Sequence, residues 1–262
     1  MSDFDSKYVT TNNRPGAPQY DDAFVNSLKE DMLSEAPDLA LIADAVLSSC
    51  AIGAHRADFV PRLLDAALQT IHQDIEKSKV CFEQFRAVVM ICWPFIGIPW
   101  CVPACLGMVN VLEKYNLLSI AYGRAQPPLS DAHIAMGQEL QQRTYANVQN
   151  SEVQAMLQNC FADFTLTTWG VVFGYSLAET TNRGIFEAHQ SQLILAASIA
   201  SSGATRQARS HMTGALGLGL SVAAAKAILK AAKRLNEWNG VEISDIDAGE
   251  LNRQMEAAQA AK

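Results

Sequence analysis

From Asp22 onward apolar side chains recur at spacings of three and four, and no stretch sustains the apolar-polar alternation of a strand. The pattern predicts an all-α chain. Helices are expected over residues 22–35, 37–50, 58–74, 82–94, 100–115, 131–148, 151–172, 185–202, 206–217, 222–238 and 247–261, separated by turn signals such as the proline pair within 124–130 and Gly184 closing 181–184. Residues 1–21 are polar, hold Pro15, Gly16 and Pro18, and read as a flexible N-terminal arm.

The apolar pattern is densest between Ala87 and Leu112, where no charged side chain occurs. That length would suffice for a membrane span of about 20 residues. Pro94, Pro99 and Pro103 argue otherwise, because each proline removes a ladder hydrogen bond that lipid cannot replace. The expectation is a buried, broken helix pair and no membrane span.

A weak internal repeat runs through the chain. Residues 40–49 (ALIADAVLSS) resemble 193–202 (LILAASIASS), and each is followed by an Ala-Leu pair, Ala67-Leu68 and Ala215-Leu216. The repeat suggests two diverged helical units, a first at 22–125 and a second at 126–262.

Composition narrows the function classes. The 262 residues are 49% hydrophobic, enough for a sizeable core. The net charge is −7 and no cluster of Lys and Arg stands out, which leaves nucleic acid and anionic membranes without an electrostatic footprint. The N-terminus lacks the apolar segment of a secretory signal, so the expected compartment is the cytoplasm, where the six cysteines stay reduced. No metal-ligand spacing of His or Cys occurs, and the Gly214–Gly219 run has neither the order nor the preceding strand of a dinucleotide fingerprint. No metal or nucleotide cofactor is therefore expected.

One region reads as a signature. The Ala/Ser-rich segment from Gln192 ends at Gly203, a second helix carries His211 before Ala215-Leu216, Trp169-Gly170 precedes, and Trp238-Asn239-Gly240 follows. Together these residues resemble the carboxymuconolactone decarboxylase family, which shares its fold with the alkylhydroperoxidase-D-like proteins. The resemblance implies two diverged copies of that helical unit, clearer in the second half, with residue 63, a leucine, at the first copy's histidine position. It also implies ring-like self-association, a fused pair giving a trimer that mimics a hexamer; the uncharged, apolar Pro94–Cys105 stretch is the candidate interface, where burial would account for its lack of charge.

By the same resemblance, His211 is the expected catalytic acid/base. Gln192 would orient a substrate, and His189, Trp169 and Tyr175 would line a mostly apolar pocket for a small organic molecule. Lyase or isomerase chemistry without a cofactor is what the family implies, and diverged members occur in secondary metabolism. The chain also departs from the family pattern. Gln192 and Leu39 stand where the family carries Glu, and Tyr175 stands where Arg is usual after Trp-Gly. Glutamine cannot exchange a proton. A non-catalytic scaffold or binding member is the alternative. Thiol-dependent peroxidase chemistry is a lesser one, because the family's Cys-x-x-Cys is missing and Cys101 and Cys105 are spaced Cys-x-x-x-Cys in another helix.

Overall fold

The computed structural model describes residues 3–71, 74–122, 127–146, 148 and 151–260. It is all-helical, with no strand among those residues. Residues 124–126 of the expected turn and residues 72, 73, 147 and 261 at three expected helix ends lie outside the described ones.

Several helices begin where the sequence supplies an acceptor for free backbone N–H groups. The Asp21 carboxylate accepts from the Ala23 and Phe24 N–H groups and opens α1 (Asp22–Glu35). Asp74 accepts from the Lys77 N–H, so α4 (Ile75–Ile96) starts earlier than the apolar pattern indicates. Ser221 caps α12 (Val222–Trp238) by accepting from Ala224. Between these lie α2 (Ala43–Gly53), preceded by a 3₁₀ turn over Pro37–Ile42, and α3 (Phe59–Ile71).

The proline-rich stretch is a broken pair as expected, but it is not buried throughout, because Phe95, Ile98 and Val102 at and after the turn stay exposed. Pro94 sits in the last turn of α4, Gly97 turns the chain at φ +98°, and α5 (Ile98–Lys114) restarts with Pro99 in its first turn, where a missing N–H is tolerated. Among the described residues no helix is long and apolar enough to cross a membrane.

The second half holds α6 (Asp131–Tyr145), α7 (Ser151–Cys160), α8 (Ala162–Thr167), α9 (Glu179–Asn182), α10 (Ala188–Ser201), α11 (Thr205–Gly217), α12 and α13 (Ala248–Ala260). The single helix expected over 151–172 does not form. It breaks at Phe161 and continues as a π-helix over Thr168–Ala178. Two glycines account for that wide segment's place in the fold. A Cβ on Gly174 would stand 2.0 Å from the His133 carbonyl oxygen, and one on Gly137 would stand 1.9 Å from that of Trp169, so the π-helix and α6 meet backbone to backbone.

At the centre α2 crosses α10, the two helices that carry the repeated Ala/Ser pattern. The crossing is closest at Gly53, where a Cβ would come within 2.1 Å of the Ser198 carbonyl oxygen. α4 packs on both central helices, and so does α12. The apolar interior is one continuous cluster running through both halves.

Two features tie the N-terminal half to the end of α12. Arg56, 1% exposed, pairs with Asp58 through two 2.8 Å bonds and lies between the Phe59 and Trp238 rings. Its Nη1 also donates to Asn239 Oδ1 at 3.3 Å. The N-terminal residues expected to be a flexible arm are docked on the same region. Val9 is buried beside Gly107 of α5, Asn12 donates to the Pro99 carbonyl at 2.8 Å, and Arg14 donates to that of Asn239. Trp238 and Asn239 of the signature thus have structural work in this fold.

Candidate functional site

His211 sits in the middle of α11, whose start is set by the turn at Gly203 (φ +79°). Helical spacing turns it toward α10, and it is 4% exposed. Gln192, in the first half of α10, faces it, with Nε2 2.7 Å from the imidazole Nδ1 and 3.5 Å from the His211 carbonyl oxygen. The imidazole Nε2 lies 3.2 Å from the Tyr145 hydroxyl at the end of α6.

Aromatic rings complete the surroundings. Phe95, from the last turn of α4, meets the imidazole edge-on with centroids 5.2 Å apart, and Phe173 packs against Tyr145 at 6.0 Å. Phe95 is 37% exposed, so His211 lies one ring below the surface.

Burial sets the electrostatics. Desolvation by burial lowers the His211 pKa from 6.5 to about 4 and leaves a neutral imidazole at pH 7. The same cause raises the Tyr145 hydroxyl well above its usual value and keeps it a phenol. The site therefore holds a chain of neutral hydrogen-bonding groups. Gln192 Oε1 and Thr144 Oγ1 are buried with no hydrogen-bond partner.

Of the residues named from sequence, the structure joins Gln192 to His211. It gives the other three different neighbours. Trp169 donates from Nε1 to Gln141 Oε1 at 2.6 Å, and Tyr175 packs edge-on against His133 at 5.1 Å. His189 lies half-buried in the first turn of α10 and makes no hydrogen bond or ring contact with His211. The reason is local: the π-helix puts Trp169 and Tyr175 against α6, whereas Gln192 lies deeper along α10.

Sequence reasoning missed Tyr145. The signal available for it was Gly214, one turn beyond His211. A Cβ there would stand 2.6 Å from Thr144 Cγ2 and 3.0 Å from the Thr144 carbonyl oxygen, so the glycine lets the end of α6 approach and brings Tyr145 to the imidazole.

The other reactive groups are quiet. Burial pushes the Cys101 thiol up to about 12 and raises Cys105 as well, the opposite of an activated thiolate. No group of three or more His, Cys, Asp or Glu side chains converges as a metal site among the described residues. A cleft of about 730 Å³ opens elsewhere, between the N-terminal residues and α3 and α5, and is lined by paired charges such as Asp65 with Lys114 and Arg62 with Asp5.

No family model, curated protein or solved structure matches this chain.

Proposed function

We propose that this chain is a cofactor-independent lyase or isomerase acting on a small, uncharged or aromatic organic metabolite, built from two diverged carboxymuconolactone-decarboxylase-like units. The observation that carries the reading is the imidazole of His211, neutral at pH 7 and held at both ring nitrogens by Gln192 and Tyr145 beneath the Phe95 ring. A polar group fixed at both ends in an apolar setting is preorganised for a reacting atom. The missing family carboxylate is consistent with a neutral substrate, since Gln192 adds no charge to the pocket.

The duplication is supported by the crossing of the similar helices α2 and α10 and by the shared packing of α4 and α12 on both. A homo-oligomer, a trimer first, is supported by the apolar surface at the α4–α5 turn, where Phe95, Ile98 and Val102 remain exposed. The cytoplasm is the compartment that goes with this reading.

A second reading, a non-catalytic binding or scaffold member, is favoured by one observation. Phe95, Tyr145 and Gln192 already occupy the space around His211. The deciding experiment is untargeted metabolite profiling of the native host without this gene, complemented by the normal chain or by His211→Ala. A compound that accumulates and is cleared only by the normal chain supports the enzyme. An unchanged profile, or full rescue by a stably folded His211→Ala chain, leaves the scaffold reading.

A further inference from the structure

The two contacts of Gln192 Nε2 fix the protons of the whole chain. One contact is a ring nitrogen and the other the backbone carbonyl oxygen of the same histidine. The structure turns the NH₂ end of the amide toward both, an orientation favoured because an amide oxygen in its place would face a carbonyl oxygen at 3.5 Å. The amide nitrogen therefore donates to Nδ1, which must be bare. A neutral imidazole with a bare Nδ1 carries its proton on Nε2.

That Nε2–H points to the Tyr145 oxygen at 3.2 Å. The tyrosine oxygen thus accepts, and its own proton is left for a third group. Accepting a hydrogen bond polarises a hydroxyl and strengthens it as a donor. His211 has no lone pair left to offer, since Nδ1 is occupied and Nε2 is protonated.

Resting on the enzyme reading above, we propose that Tyr145 Oη–H is the group that meets the ligand, with Gln192 and His211 as positioning residues. The ligand class is a small molecule presenting a carbonyl, enolate or phenolate oxygen to that hydroxyl. The surroundings favour this class over a carboxylate or phosphate. The flanking groups among the described residues are the aromatic rings of Phe95 and Phe173 and neutral amide and hydroxyl groups, none of which offsets a fully charged anion. An oxygen whose charge is delocalised into a conjugated system costs less to desolvate and gains from a single strong donor. The unpartnered Gln192 Oε1 and Thr144 Oγ1 supply acceptors for the ligand's remaining polar atoms or for a bridging water.

Two measurements on the full chain test this. The ¹⁵N spectrum of the His211 ring at pH 7 should show a bare Nδ1 and a protonated Nε2. Tyr145→Phe should leave that pattern unchanged, while Gln192→Leu should release it to a mixture of tautomers. Binding of 4-nitrophenol, whose phenolate absorbs in the visible, should be weakened about tenfold or more by Tyr145→Phe and by His211→Leu. Inorganic phosphate and benzoate should not compete. A wild-type spectrum with Nδ1 protonated overturns the inference whatever the metabolite profile shows, as does unaltered 4-nitrophenol binding in a folded Tyr145→Phe chain. A flat metabolite profile with the predicted tautomer and Tyr145-dependent binding overturns the enzyme reading alone.

Discussion

Gln192 and His211 are joined by a hydrogen bond of 2.7 Å between side chains on adjacent helices α10 and α11, with no carboxylate bonded to the imidazole among the described residues. The amide keeps the imidazole oriented without helping it to hold a second proton. Gln192→Glu changes that balance, because a carboxylate can only accept and requires a proton on Nδ1. His211, now at about 4, should then titrate much closer to neutrality. A histidine NMR titration reads this directly. An unmoved midpoint would mean that burial alone sets the charge of the ring.

Acid stability should report the same residue. His211 titrates at 6.5 in the unfolded chain and at about 4 in the folded one. Above pH 6.5 both states are neutral and the full stability is present. As pH falls from 6.5 toward 4 the unfolded chain binds a proton that the folded chain excludes, so stability falls by an order of 3 kcal/mol before levelling off. Urea unfolding at pH 7 and pH 4.5 should show that loss in the normal chain. A folded His211→Leu chain should lose less over the same interval, with His55, also lowered by burial, contributing in the same direction.

The elements legible in the sequence are those whose signals are local. α1 and α12 fall where the periodicity places them, and Gly203 marks the end of α10 as expected. The π-helix was not legible, because Trp169–Ala178 is almost uniformly apolar and has no period to read, while its geometry depends on glycines meeting a distant helix. The site divides in the same way. Gln192 and His211 belong to neighbouring helices of one signature. Tyr145 and Phe95 reach the imidazole from α6 and α4, and no short-range spacing connects them to it.

The glycines of the π-helix should be unequal under mutation. Gly174→Ala drives a Cβ into the His133 backbone at 2.0 Å and should cost about 2 kcal/mol or more. Gly170→Ala meets only the Ile134 side chain, at 3.3 Å, and should stay within about 1 kcal/mol of the normal chain. Thermal or urea unfolding of the two variants side by side tests the close approach of α6. Equal losses would show that the backbone there has room to give.

Arg56 and Asp58 form a buried ion pair whose value depends on both partners being present. Asp58→Ala leaves the guanidinium between the Phe59 and Trp238 rings with its main partner gone, and should destabilise the fold by about 3–5 kcal/mol. Replacing both, Arg56→Met with Asp58→Leu, removes the unpaired charge and should recover most of that loss. A double-mutant cycle in urea measures the difference. If the double variant is as unstable as Asp58→Ala, the bonds to Asn239 and the ring contacts of Arg56, rather than the pair itself, hold this end of α12.

Phe95 decides whether His211 can be reached from solvent. Its ring is 37% exposed on the outside and contacts the imidazole edge-on within. Phe95→Ala removes the cover without touching either hydrogen bond of His211, so water should enter and the depressed pKa should relax upward from about 4 toward 6.5. Carbethoxylation followed by mass spectrometry gives an independent reading, with His55, which is only partly desolvated and reaches solvent, as an internal reference. In the normal chain His211 should stay unmodified while His55 reacts, and in Phe95→Ala the two rates should approach each other. Continued protection of His211 in the variant, with water admitted and the pKa raised, would mean that the hydrogen bonds to Gln192 and Tyr145, rather than the Phe95 ring, shield the imidazole nitrogens.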